Sequence, residues 1–347
     1  MTDVSRDHEQ LLELGSGLLK ATTTLIDRAF SHIKASSTEG ERVSPALLDQ
    51  HQLVSYDLSF CWAECTSAGF LLKHARKLAE SQQPDPFVSD LAALFCAETV
   101  STCLARLRTR PAEYGLTAAD LDAVTATEAA QRYLSNQLSA SNIAALGAQV
   151  LDRDGDLGPD LLDEHHTMMR DTFGRFAEEV VAPLAEEIHR QDLDIPDEII
   201  EPLKEMGMFG LSIPESYGGL QENDQEDTLG MIVVTEELSH GSLGAAGSLI
   251  TRPEILSRAL LKGGTEEQKQ HWLPKLAVGE PLCAVAVTEP NYGSDVAGVR
   301  LKATPAEGGW VLNGAKTWCT FGGKAGVLLV LARTNTDMSL GHKGLSM

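Results

Sequence analysis

Apolar residues recur every three or four positions through most of the first 280 residues, which predicts amphipathic helices. From about residue 8 to 147 the pattern is helical throughout. Ser44-Pro45 offers a helix start, with Ser as N-cap and Pro at the first helical position. A long stretch follows to about Glu80, broken by Gln82-Gln83-Pro84-Asp85-Pro86, and a second helix runs from about Phe87 to Arg108. Pro111 and Gly115 break again, and Thr117-Ala118-Ala119-Asp120 opens shorter segments. This is an up-and-down bundle pattern with no catalytic spacing in it.

Leu151 to Pro159 is the natural linker. Its D-x-D-G-D string does not fit a calcium loop, because counting from Asp152 puts Leu157 where Gly is needed and Asp163 where Glu is needed. Helices resume near Asp160, one running through Phe173, Phe176 and Val180 toward Arg190. Ile195-Pro196-Asp197-Glu198 opens another that ends near Gly207 to Gly210. Asn223-Asp224 leads into a long helix bearing Val233, Val234 and Leu238, and the small residues of Gly241 to Gly247 predict close backbone approach. Thr265-Glu266-Glu267-Gln268 is a capping box. Near Leu282 the pattern shifts to short β-rich runs with turns at 308–309 and 313–314, and Val327 to Leu331 reads as a buried strand. The predicted fold is mainly α with a β-domain: a helical N-terminal extension over 1–150, an acidic linker over 151–159, a second helical domain over 160–280 and the opening of a β-domain over 281–347.

Composition narrows the function. The net charge of −22, with no basic block, argues against a nucleic-acid partner, but a few N–H groups and local cations still suffice for a phosphate-bearing cofactor. No uninterrupted apolar run approaches the ~18–20 residues of a membrane span. The polar, acidic start Met1-Thr2-Asp3-Val4-Ser5-Arg6-Asp7 is unlike a signal peptide, so an unexported, cytoplasmic protein is expected. The six cysteines form no C-x-x-C pair. Cys61 and Cys65 share a helical stripe with Leu58, Trp62, Gly69 and Leu72, and Cys96 and Cys103 share one with Val100, Leu104 and Leu107, which reads as reduced, buried thiols and no metal site.

Candidate chemistry concentrates after residue 284. Val285-Ala286-Val287-Thr288-Glu289-Pro290-Asn291-Tyr292-Gly293-Ser294-Asp295 is followed some twenty residues later by Trp310 to Thr320. Thr288 and Thr320, read in strand context, each offer a hydroxyl donor. Trp318 offers a planar apolar wall, and the loop at Gly293-Ser294 can present N–H and hydroxyl groups to phosphate. Taken singly, Thr-Glu-Pro is a common strand-end turn and a sheet Trp is usually core.

Together the two halves resemble the acyl-CoA dehydrogenase family. Thr288-Glu289-Pro290 with Gly293-Ser294-Asp295 resembles its T-E-P-x-x-G-S-D signature, and Asn313-Gly314-x-Lys316-x-Trp318-x-Thr320 resembles its N-G-x-K-x-W-I-T element. Pro214 to Gly219, Glu236 to Ser239 and Gly264 to Leu276 resemble further family stretches, so the resemblance covers roughly residues 160 to 347. It implies FAD as cofactor, with Val285, Val287, Thr288, Ser294, Trp318, Cys319 and Thr320 binding it, the Thr320 hydroxyl bonding flavin N5, and Ser294 also contacting an acyl-CoA substrate. It implies an electron-transfer flavoprotein as acceptor and a homo-oligomer. Two departures stand out: Cys319 replaces the usual isoleucine, and Phe321 stands where Asn often follows the threonine. No segment matches the surroundings of the family's catalytic glutamate, so that base is expected beyond Met347, in a longer polypeptide of which this chain is a piece.

Within the family, the extension and the stretch Gly241 to Glu254 resemble the branch that converts (2S)-methylsuccinyl-CoA to mesaconyl-CoA in the ethylmalonyl-CoA route of acetate assimilation. A free substrate carboxylate needs a cation, since burying it unpaired costs several kcal/mol; Arg252 is the candidate. The extension is expected to act as an extra bundle over surface that other members bury in a tetramer, which favours a dimer. A glutaryl- or short branched-chain acyl-CoA remains the alternative substrate, and a non-catalytic binding protein of the same fold the alternative class.

Overall fold

The computed structural model describes residues 3–81 and 83–347. Met1 and Thr2 of the polar start, and Gln82 of the first helix break, lie outside them. The chain divides into two compact units, Met1–Leu161 and Leu162–Met347.

In the first unit three long helices carry the core: α1 (Asp3–Ser36), α3 (Gln52–Ala79) and α4 (Pro86–Arg108). Between α1 and α3 lie a two-stranded hairpin, β1 (Thr38–Glu39) and β2 (Arg42–Val43), and one turn, α2 (Pro45–Leu48). The sequence reads as continuous helix there; Gly40, at φ 63°, makes the reversal that a helix cannot hold. Ser44 does occupy the N-cap of α2, although its side chain makes no capping bond. The direction of packing follows from cross-contacts. Arg76 reaches the Leu12 carbonyl (3.2 Å), while Cys96 donates to the Gly15 carbonyl (3.1 Å), so α3 runs antiparallel and α4 parallel to α1. Shorter helices α5 (Ala118–Val124), α6 (Glu128–Gln137) and α7 (Ala140–Asp152) close the bundle, each begun by a capping side chain.

Leu58, Cys61, Cys65 and Leu72 are buried as the stripe requires, and Cys65 Sγ lies 3.9 Å from Cys103 Sγ with every cysteine free. Trp62, four residues from Leu58 and so at the edge of that stripe rather than its centre, is half-exposed. Two more expectations change. By length and composition α4 could cross a membrane, a property that a search for uninterrupted apolar runs does not register; its apolar positions Phe87, Ala93, Cys96, Val100 and Leu107 lie in the bundle core instead. The acidic linker is only partly solvated, because Arg153 turns back to pair with Asp85 at the α4 N-cap and lies over the Phe87 ring.

The second unit opens with α8 (Glu164–Phe176), a π turn (Ala177–Val181) and α9 (Ala182–Gln191), then α10 (Asp197–Glu205), α11 (Thr228–Ser242), a second π turn (Leu243–Gly247), α12 (Ser248–Gly263) and α13 (Glu266–Ala277). The long helix starts four residues later than Asn223-Asp224 suggests, because Asp227 is the residue whose side chain caps it. Close approach at Gly241 is real: a Cβ there would stand 2.9 Å from the Ala177 carbonyl, so the last turn of α11 meets the first π turn where no side chain intervenes. The capping box at Thr265 and Gln268 forms in both directions. In the β part, β3 (Cys283–Ala286) pairs in parallel with β6 (Val327–Val330), while β4 (Lys302–Ala306) pairs with β5 (Gly309–Asn313) and β7 (Ala332–Arg333), and β7 with β8 (Leu345–Ser346). β6 is not buried throughout, since Leu328 is 46% exposed.

One imidazole ties α8 to α11. Asp163 and Asp227 are the N-caps of these helices, and His166 bridges them, Nδ1 at 2.7 Å from Asp163 and Nε2 at 3.0 Å from Asp227, with His165 also 3.9 Å from Asp227. The bond to Asp227, then that to Asp163, raises the His166 pKa against the opposing effect of burial. A neutral ring cannot donate to both carboxylates. The stabilisation is therefore complete below the unfolded value of about 6.5 and is lost as pH rises through the raised folded value. His166→Gln should lower the melting temperature at pH 6, with a difference from wild type that shrinks steadily by pH 9; a pH-independent difference would count against the bridge.

Candidate functional site

The site is assembled by a buried carboxylate. Beyond β3 the chain makes a tight reversal in which Glu289 and Tyr292 exchange backbone bonds (3.0 and 3.1 Å). The Glu289 side chain points inward, accepting from the backbone N–H of Arg300 and Leu301, both at 2.7 Å. Lys316 Nζ completes the arrangement, 3.0 Å from Glu289 and 2.7 Å from the Val287 carbonyl. Both side chains are more than nine-tenths buried. Burial works to raise the Glu289 pKa, but the two N–H donors and Lys316 together hold it below the usual carboxylate value. The two halves of the sequence pattern are thus clamped, and Thr317 N–H adds a bond to the Thr288 carbonyl at 2.9 Å.

From this clamp the segment 318–321 projects. Trp318 and Phe321 take left-handed backbone (φ 58° and 66°), which ends any extended run; neither Thr288 nor Thr320 lies in a strand, contrary to the sequence reading. Trp318 is 87% exposed, whereas Phe321 is partly buried and packs against the helical core. Lys324 fastens the same turn to the α10 start through the Ile195 carbonyl (2.6 Å) and Asp197 (3.4 Å). The Phe at 321 is therefore an anchor, and it sets where Thr320 stands.

Arg252, on α12, reaches this turn: Nη2 donates to the Thr320 hydroxyl at 3.2 Å. It is half-buried, its Nε is buried with no partner, and it forms no ion pair among the described residues. Glu254, the nearest acid in sequence, is taken by Arg258 at 3.0 Å. Across from Arg252 lies Cys283, whose thiol burial pushes up to about 12 while the guanidinium pulls the other way.

The structure therefore brings Arg252 to Thr320, and Thr288 to the strand end beside Thr317. Val285 lies half-buried in β3, with Val287 and Thr288 half-buried just beyond it, and Cys319 is half-buried between Trp318 and Thr320. Ser294 stands apart on an exposed turn that Asp295 caps. The hydroxyls of Thr288 and Ser294 have no protein partner among the described residues. Free hydroxyls, an exposed indole and an orphaned guanidinium N–H form a donor set that suits a flat, polar-edged ring and an anion. Three residues that hold the site escaped the sequence reading: Glu289, Lys316 and Arg333. Arg333 is 2% exposed and donates to the carbonyls of Val299 (2.9 Å), Ala297 (2.6 Å) and Gly341 (3.3 Å), tying two turns together. For Arg333 the available signal was a single charge closing the apolar run 327–332; Glu289 and Lys316 stand among polar neighbours that hide them.

Lys316→Met should destabilise this unit by about 3–5 kcal/mol, because it leaves Glu289 buried without its cation. In wild type the Glu289 contribution is present above an unfolded pKa of about 4.3 and disappears as pH falls through the lowered folded value. Urea unfolding from pH 7 to pH 3 measures both; a Lys316→Met midpoint equal to wild type at pH 7 would contradict the clamp.

Comparison with known proteins fits this geometry. Residues 163–280 match the acyl-CoA dehydrogenase N-terminal domain, and residues 284–347 match the acyl-CoA dehydrogenase middle domain. The chain is 37% identical over 344 residues to (2S)-methylsuccinyl-CoA dehydrogenase of Cereibacter sphaeroides, covering 97% of this chain and 61% of that protein. It is 39% identical over 192 residues to mitochondrial 2-methylacyl-CoA dehydrogenase of Solanum tuberosum, covering 54% of this chain and 44% of the relative. The chain thus spans about half the length of these relatives, and only the first of the two similarities extends through the N-terminal bundle. Among solved structures, a glutaryl-coenzyme A dehydrogenase complex aligns at 33% identity and TM-score 0.48, over 54% of this chain and 47% of that one. An acyl-CoA dehydrogenase from Geobacillus kaustophilus aligns at 32% identity and TM-score 0.47, with the same coverage. Through these two matched domains the chain belongs to the acyl-CoA dehydrogenase family.

Proposed function

We propose that this chain is the flavin-binding part of an enzyme that oxidises (2S)-methylsuccinyl-CoA to mesaconyl-CoA. The family's cofactor is FAD, which when bound supplies the acceptor for a hydride leaving the substrate Cβ. Val285, Val287, Thr288, Ser294, Trp318, Cys319 and Thr320 would hold it: hydroxyls and backbone N–H groups on its polar edge and phosphates, the Trp318 indole as an apolar wall. Thr320 would face the hydride-accepting edge. Ser294, exposed on its turn, would also meet the acyl-CoA. The same resemblance takes an electron-transfer flavoprotein as acceptor and a dimer as the assembly.

The observation that carries the substrate reading is Arg252, a half-buried cation with no carboxylate partner among the described residues, one hydrogen bond from Thr320. In a succinyl thioester the free carboxylate is bonded to Cβ itself. The carbon that gives up hydride therefore sits next to the carboxylate, and the cation that binds it must lie beside the hydride acceptor. Arg252 does. In a glutaryl thioester the carboxylate is one carbon farther from Cβ, and in a butyryl thioester there is none. Pairing also relieves the protein, since an unpaired buried guanidinium is costly and a carboxylate satisfies it with charge-assisted bonds.

Arg252→Met should raise KM for methylsuccinyl-CoA about 10–100-fold, matching the ~1.5–3 kcal/mol of a hydrogen bond to a charged group. KM for butyryl-CoA should stay within about threefold. A panel of methylsuccinyl-, glutaryl- and butyryl-CoA with an artificial electron acceptor measures this, and equal KM effects on all three would sink the assignment.

A further inference from the structure

We infer that Arg252 has a second role, independent of substrate: it is a positioning residue that makes the Thr320 hydroxyl a dedicated donor to the flavin. The inference rests on the FAD reading above. A guanidinium can only donate, and a threonine hydroxyl has one proton to give. With Arg252 Nη2 occupying an acceptor site of Thr320 Oγ1 at 3.2 Å, that proton must be directed elsewhere.

The common alternative for such a proton is a backbone carbonyl three or four residues back. Other threonines of this unit do this, Thr235 to Met231 (2.7 Å) and Thr251 to Ser248 (3.0 Å). Thr320 makes no such bond among the described residues. It sits between two left-handed residues, Trp318 and Phe321, on a turn whose backbone does not present a helical carbonyl to it. Both ends of the Arg252–Thr320 contact are held. Phe321, partly buried, packs against the helical core and Lys324 pins the turn to α10, while Arg252 precedes Pro253, which is buried within α12. The hydroxyl proton is thereby left for a ligand, and a permanent positive charge stands one hydroxyl behind it.

The consequence is electrostatic. Reduction adds electron density to the flavin, and a donor backed by a cation stabilises the reduced form more than the oxidised form. Arg252 should therefore raise the midpoint potential of the bound cofactor with no substrate present, acting largely through Thr320.

The test measures the midpoint potential of FAD on the substrate-free full chain by equilibration with a reference dye, with FAD content determined for each protein. Arg252→Met should shift the potential downward, and Thr320→Val should do so too. Arg252→Lys, which keeps the charge without the planar donor, should fall between wild type and Arg252→Met, and it carries the measurement should the Met variant lose cofactor. In the Thr320→Val background the further shift from Arg252→Met should be clearly smaller than in wild type. An Arg252→Met protein that retains FAD at the wild-type potential overturns the inference, as does a shift of the same size with Thr320 removed. If Thr320→Val leaves the potential unchanged, or the wild-type chain holds no FAD, the cofactor placement itself fails and the inference falls with it.

Discussion

Glu289 carries a charge where water cannot reach it, and the β part of the chain is arranged around satisfying that charge. Two backbone N–H groups from Arg300 and Leu301 and the ammonium of Lys316 converge on one carboxylate. These donors come from two places in sequence, the turn before β4 and the segment after β5, and they meet an acceptor borne on a third, just beyond the end of β3. An ion pair this deep adds little to stability compared with apolar packing, but removing one partner is expensive. Its effect is to fix register. Once the clamp is set, Thr317 must bond Thr288, and Trp318 to Thr320 must emerge at one place.

That explains why the motif was legible as a site while the motif's own charges were not. Thr288, Trp318 and Thr320 attract attention because their chemistry suits a ligand, whereas Glu289 and Lys316, in the same two segments, face each other. Sequence spacing cannot reveal a pairing across twenty-seven residues when neither partner lies on a predicted element facing the other. The helical regions were legible for the opposite reason: burial at Leu58, Cys61, Val100 and Leu107 repeats with the helical period. The failures are local. Left-handed Trp318 and Phe321 have no sequence signal, because only glycine and asparagine advertise that conformation. The hairpin at 38–43 is too short for an alternating pattern to register, and Trp62 shows that an apolar residue at the edge of a stripe can remain half-exposed.

Phe321 and Arg252 show how a β-turn and a helix come to share one point. The Phe321 ring packs against the helical core, and its own left-handed backbone turns the chain there. Thr320 is then presented toward α12, where Arg252 is the donor at hand. A smaller polar residue at 321 would not reach that core, and the turn would depend on Lys324 and the Arg252–Thr320 bond for its attachment to the helices.

The net charge of −22 stands against the proposed site for a phosphate-bearing cofactor and a substrate with a free carboxylate. The conflict disappears when charge is followed along the chain. Residues 283–347 carry six Lys and Arg against four Asp and Glu, so the acidic excess lies wholly upstream of the site segment. Of those four acids, Glu289 is neutralised by Lys316 and Asp295 is engaged in capping its own turn. At the turn itself the nearest charge is Arg252, whose acidic neighbour in sequence is already paired to Arg258. Because buried charges interact over a few ångströms while exposed ones are screened within about 10 Å at 0.1 M ionic strength, an anion at Thr320 would meet the field of Arg252, not the charge of the whole chain.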